Sequence, residues 1–138
     1  MIVIDASVVL KWVLPDEPLQ REAFSLRRRH AAGGNPLAAP DLLLYEVANV
    51  LPMRWQQTSL AVKVLEEVFS IGLYLHSFEL PEFAHAMELA HRYRITTYDA
   101  SYVALAQALH CPFVTTDERL LSRLKGISQI THLKEAVT

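Results

Sequence analysis

Two rhythms of apolar residues alternate along the chain. Short runs read as strands, buried at Ile2 to Asp5, weak between prolines at Asn35 to Ala39, and further at Leu73 to Phe78, Pro112 to Thr115 and Ile127 to Leu133. Between them the longer stretches of good helix formers predict helices over Ser7 to Leu14, Leu19 to Ala32, Asp41 to about Trp55, Ser59 to Ile71, Pro81 to Tyr93, Thr97 to His110 and Asp117 to Leu124. The stops are local: Pro15, Gly33-Gly34 and Gly72. Asp41 is expected to cap its helix through the side chain, and Pro52 to kink or shorten it. The Pro81 helix is amphipathic, with Phe83, Met87 and Ala90 on one face. The Thr97 helix is apolar almost all round, so it is expected to be buried.

Strands that alternate with helices predict an α/β fold, a parallel sheet of about five short strands with helices on both faces. No repeat, linker or low-complexity stretch divides the chain, and 138 residues suit a single domain over 1–138. With 51% hydrophobic residues there is enough to fill a core. The net charge of −2 removes a global basic field, so any nucleic-acid binding must use local patches or a metal. Cys111 stands alone, which excludes an internal disulfide and fits a reducing cytoplasm. The first residues enter a strand at once, with no basic leader and apolar h-region. No apolar run approaches the roughly 18 residues of a membrane span.

The chemistry lies in four acids. Asp5 follows Met1-Ile2-Val3-Ile4, and Asp117 follows Phe113-Val114-Thr115-Thr116, so both stand at carboxyl ends of predicted strands. Ligands of open α/β sheets bind at such ends, where the strand order reverses. Asp99 opens the apolar helix that leads into the strand before Asp117. Glu46 interrupts a helix that is apolar on nearly every side, where a carboxylate is costly without a partner or cation. Each acid has an ordinary use: Asp5 and Asp117 as helix N-caps, Asp99 in a capping turn with Thr96. Gathered in one cleft they repel one another unless they hold a cation, and hard oxygen donors suit Mg²⁺ or Mn²⁺.

Ile4-Asp5-Ala6-Ser7, Leu44-Tyr45-Glu46-Val47-Ala48-Asn49, Tyr98-Asp99-Ala100-Ser101-Tyr102 and Val114-Thr115-Thr116-Asp117 resemble the successive motifs of PIN-domain ribonucleases. Within that family the chain is most similar to VapC-type toxins of toxin–antitoxin pairs. The resemblance covers the whole chain, in order. It implies a three-layer α/β/α fold, a homodimer, Mg²⁺ or Mn²⁺, endonucleolytic cleavage of RNA and a cognate VapB-like antitoxin. By the same resemblance Asp5, Glu46, Asp99 and Asp117 are the acidic quartet and metal ligands, while Ser7 and Thr115 are supporting hydroxyls.

A metal held by carboxylates would neutralise the phosphodiester and activate water, so no serine, cysteine or histidine nucleophile is required. Lys11 and Arg119 follow two of the acids by a few residues and are candidates to bind RNA, with Arg92, Arg94 and Arg123 behind them. The run Arg27-Arg28-Arg29-His30 reads as a solvated helix end. A non-catalytic PIN-fold protein that binds RNA or a partner is the alternative, and the intact acids weigh against it. A dehalogenase-like phosphatase would need an aspartate where Ser7 stands, and the four glycines form no phosphate loop.

Overall fold

The computed structural model describes residues 1–137. In chain order the elements are β1 (Ile2–Ile4), α1 (Ala6–Val13), α2 (Gln20–Ala31), β2 (Leu37–Pro40), α3 (Leu42–Arg54), α4 (Thr58–Ser70), β3 (Tyr74–His76), α5 (Leu80–Tyr93), α6 (Thr97–Ala108), β4 (Phe113–Thr115), α7 (Glu118–Arg123), β5 (Ile130–His132) and α8 (Leu133–Ala136). The five strands form one parallel sheet in the order β3-β2-β1-β4-β5. From β1 the chain steps outward through β2 to β3, then returns to lay β4 on the other side of β1. The order therefore reverses between β1 and β4. Their register pairs Ile4 with Val114, so Asp5 comes level with Thr115.

Helices cover both faces of the sheet, the three-layer α/β/α arrangement expected from the alternation. The helix α1 rests on β1 and β4, with α2, α3 and α4 gathered round it; α6 rests on β1, β2 and β4, with α5 along its side. Every residue of α6 from Ala100 to Ala106 is buried, as its all-round apolar pattern requires. Gly33 and Gly72 follow α2 and α4 with φ of 77° and 73°, the left-handed turn that lets a helix stop without a Cβ clash. No helix among the described residues is long and apolar enough to cross a membrane.

Several local expectations are corrected. The structure shifts the second strand to Leu37–Pro40 and trims the third to Tyr74–His76. Only Ile130–His132 of the last predicted strand pairs with β4, and Leu133 starts a helical turn that the sequence did not announce. The α3 helix runs through Pro52 to Arg54, because so near the end only one ladder bond is lost. Asp41 makes no side-chain cap; its carboxylate accepts from Ser77 Oγ at 2.7 Å instead. On α5 the Phe83–Met87 face is not the packed one: these side chains are 48% and 54% exposed, and Ala86 and Leu89 are buried. Small residues let α5 lie close to α6, and the bulkier ones are left outside.

Two residues of the basic run on α2, Arg27 and His30, are engaged by structure, and Arg28 and Arg29 are exposed. Arg27 pairs with Glu67 at 3.3 Å and lies over the rings of Trp12 and Phe24. His30 Nδ1 accepts from Leu37 N at 3.0 Å, and its Nε2 lies 3.1 Å from Ile71 O, tying α2 to β2 and to the end of α4.

Candidate active site

The switch point between β1 and β4 places Asp5 at its floor. Asp5 is only 8% exposed. Its Oδ1 accepts from Ser7 N at 3.1 Å and Ser7 Oγ at 2.5 Å, and its Oδ2 accepts from Thr115 Oγ1 at 2.5 Å. Ser7 Oγ in turn accepts from Thr116 N at 3.0 Å, and Thr115 Oγ1 from Asp117 N at 3.1 Å. Two hydroxyls thus tie the ends of the two strands around one carboxylate. Burial pushes the Asp5 carboxyl up to about 6; the Ser7 and Thr115 hydrogen bonds oppose that, and the charge of Glu46 adds to it.

Three helices bring up the other acids. Asp117 is exposed and caps α7, accepting from Leu120 N at 3.0 Å. Asp99 is in the first turn of α6, where its N–H donates to Thr96 Oγ1 at 3.0 Å. Partial burial raises the Asp99 carboxyl, Thr96 opposes this, Asp117 raises it further and Arg119 lowers it. Glu46 comes from α3, raised by burial, restrained by its hydrogen bond from Tyr102 and raised again by Asp99. The influences link Asp5 to Glu46, Glu46 to Asp99 and Asp99 to Asp117. The capping roles coexist with these electrostatic links: a helix N-terminus is where a carboxylate is both useful locally and near the sheet's carboxyl edge.

Tyr102 is a residue the sequence reading did not single out. It is 1% exposed and stacks on Phe113, with ring centroids 5.7 Å apart. Its hydroxyl donates to Glu46 Oε1. Burial, then the bond and charge of Glu46, push its phenol far above the ordinary range, so it stays a donor. The available signal was a phenol on an otherwise apolar helix, three residues after Asp99, which needs a buried partner.

Of the two basic candidates, Arg119 lines a cavity with Asp99 and Asp117, whereas Lys11 is 6% exposed. Lys11 stands on the inward side of α1 with the buried Val8 and Trp12. Arg94 and Arg123 line the same cavity as Arg119.

Asp5, Glu46 and Asp99, each raised by burial and by a neighbouring acid, suit a hard divalent cation in donor type and charge. Among the described residues, however, no three acid, imidazole or thiol groups stand close enough to hold an ion as placed. Asp5 is buried, while Asp99 is partly and Asp117 fully exposed. The residues therefore fit such an ion by chemistry.

A family model described as PIN domain matches residues 2–127. Ribonuclease VapC3 of Pyrobaculum aerophilum is 31% identical over 133 residues, covering 91% of this chain and 96% of its own. The crystal structure of PAE2754 from the same organism has a TM-score of 0.68 at 22% identity, covering 99% of this chain and 92% of that one. VapBC2 from Rickettsia felis, bound to a DNA fragment from its promoter, gives 0.70 at 16% identity over 96% of this chain and 98% of that one. At those identities the two structures speak to the fold alone. The family model spans nearly the whole chain, and the VapC3 relative matches at 31% identity along almost its full length, so this chain belongs to the PIN-domain family, among its VapC-type members.

Proposed function

We propose that this chain is a metal-dependent endoribonuclease, a single PIN domain acting as the toxin of a type II toxin–antitoxin pair in the cytoplasm. The observation that carries the reading is Asp5, buried at the switch point, held by Ser7 and Thr115 and electrostatically linked to Glu46, which is linked in turn to Asp99 and so to Asp117. The similarity to ribonuclease VapC3 supports ribonuclease activity, and the likeness to the VapBC2 assembly supports an antitoxin partner.

Asp5 and Asp99 would be direct ligands of Mg²⁺ or Mn²⁺, with Asp117 and Glu46 direct or through water. When bound, the ion supplies charge neutralisation at the phosphodiester and acidifies the attacking water. Ser7 and Thr115 fix the Asp5 oxygens so that the carboxylate does not reorganise during the reaction. Tyr102 holds Glu46 by one oxygen and leaves the other to orient water. Asp5 and Asp99 must lose their protons for binding, so activity rises as pH passes through their raised ionisations.

A homodimer and an antitoxin-covered cleft complete the proposal. Leu42, Tyr45, Phe78, Phe83 and Tyr98 line a groove of about 230 Å³ beside the acids, and Tyr45 and Tyr98 are 76% and 65% exposed. An apolar patch of this kind, rimmed by charge, marks a surface that another chain covers.

The deciding experiment is cleavage of a panel of tRNA, rRNA and single-stranded RNA with Mg²⁺, Mn²⁺ or chelator. Cleavage that needs metal and falls by orders of magnitude in Asp5→Asn and Asp99→Asn supports the reading. Full activity in excess chelator would sink it. RNA binding without cleavage under any metal would favour the non-catalytic alternative.

A further inference from the structure

Beside Asp99 and Asp117 opens a cavity of about 220 Å³, and three arginines line it: Arg94, Arg119 and Arg123. Two come from one element, because Arg119 and Arg123 are four residues apart on α7 and so share a face. The third comes from the end of α5, where Arg94 takes a left-handed turn with φ of 55° and delivers the chain into α6. All three are exposed, and none enters an ion pair among the described residues. Three guanidinium groups thus outnumber the two carboxylates of the cavity, in a chain whose net charge is −2.

Three arginines lining one cavity attract an anion, and a planar guanidinium fork matches phosphate oxygens two at a time. The cavity has room for roughly seven waters at about 30 Å³ each, more than one phosphate group displaces. Its wall includes two of the acids proposed for cleavage, so an anion seated here lies next to the reacting bond. In a polynucleotide the group beside a reacting phosphate is the next phosphate of the same strand.

We propose that the arginine-lined cavity holds the phosphate adjacent to the scissile one in single-stranded RNA, so that Arg94, Arg119 and Arg123 set the register in which the strand crosses the acids. The proposal rests on the ribonuclease reading. It explains how an acidic chain can bind a polyanion: the cations are concentrated on one side of the cleft. It also assigns a division of labour, with the carboxylates acting on one phosphate and the guanidiniums on its neighbour.

The test is binding of a short oligouridylate to the full chain in chelator, followed by fluorescence anisotropy as salt is raised, with strand integrity checked on a gel. Each lost phosphate contact should reduce the slope of log affinity against log salt by about 0.7. Arg119→Gln and Arg123→Gln singly, and with Arg94→Gln in a triple variant, should lower the slope in steps. Arg28→Gln/Arg29→Gln, at the exposed end of α2, serves as the control and should leave it unchanged. A neutral methylphosphonate placed along the strand should weaken the wild type at one linkage beside the cleaved bond, and have no further effect there in the triple variant. If the triple variant does not fold, the two single α7 variants decide the matter. An unchanged slope, or an equal loss in the α2 control, overturns the cavity assignment while cleavage by the wild type leaves the ribonuclease reading standing. A wild type that neither binds nor cleaves RNA overturns both.

Discussion

At the scale of single residues the site depends on how carboxylates are held. Tyr102→Phe removes the hydroxyl that donates to Glu46 but keeps the ring stacked on Phe113. Loss of a group that orients a ligand typically costs about 10- to 100-fold in metal affinity or activity. The variant should therefore show that loss in cleavage with a nearly unchanged melting temperature. Wild-type cleavage by the variant would remove Tyr102 from the machinery. Asp5 makes a prediction about pH. Its folded value of about 6 exceeds its ordinary 3.8, so the native state binds the proton more tightly. The resulting destabilisation is absent below 3.8, grows as pH rises and is complete above about 6, where it reaches roughly 3 kcal/mol. In Asp5→Asn the amide oxygen still accepts from Ser7, and its NH₂ turns Thr115 from donor to acceptor. Without metal this variant should lose less melting temperature than the wild type from about pH 4 to about pH 7, because Asp5 no longer adds to the decline that Glu46 and Asp99 still cause. Parallel curves for the two proteins would contradict the assigned ionisation.

At the scale of elements, one residue serves both helix and site, and the two roles separate by substitution. Asp117 caps α7 through Leu120 N. Asp117→Asn keeps an acceptor at the cap and should cost little stability, whereas Asp117→Ala should cost about 0.5–2 kcal/mol. Both should lose cleavage, because neither carries the charge. Denaturant titration beside an RNA cleavage assay separates the outcomes: an active Asp117→Asn protein would reduce this acid to a cap. Element boundaries were readable where a residue type leaves one option, as at Gly33 and Gly72 with positive φ. They were unreadable where a neighbour decides. The last strand is cut to Ile130–His132 because only those residues meet β4, and the packed side of α5 is chosen by what α6 allows. Composition alone could not reveal that Phe83 and Met87 face outward.

At the scale of the whole molecule, metal binding and folding should be coupled. An ion that binds only the native cluster stabilises it by about 2.7 kcal/mol at a hundredfold excess over Kd. Mg²⁺ or Mn²⁺ should raise the melting temperature of the wild type, and Asp99→Asn should shrink that rise without destabilising the metal-free protein. A destabilised Asp99→Asn protein with an undiminished response would mean the acids do not share an ion. The exposed apolar groove carries the association prediction. Phe83→Asp should leave the monomer folded, since Phe83 is 48% exposed, and should shift sedimentation at micromolar concentration from dimer to monomer. A wild type that sediments as a monomer would refute the dimer.

The sequence by itself determined the alternation of strands and helices, the stops, three acids at strand ends and helix starts, and Glu46 within a helix. Those are local matters: periodicity, turn chemistry and the cost of a carboxylate in an apolar run act within a few residues. It did not determine that β1 and β4 are neighbours, because which strands pair depends on long-range packing and on the return of the chain after β3. That pairing brings Asp5 level with Thr115, two residues separated by most of the chain, and the hydrogen bond between them exists nowhere in the local signal. Tertiary structure likewise joined Tyr102 to Glu46 and turned Lys11 inward. It also set Arg94 from one helix beside Arg119 and Arg123 from another. Residue types announce what chemistry is available; only the packed sheet and its helices decide which groups stand within reach of one another, because reach is a property of distance in space and not along the chain.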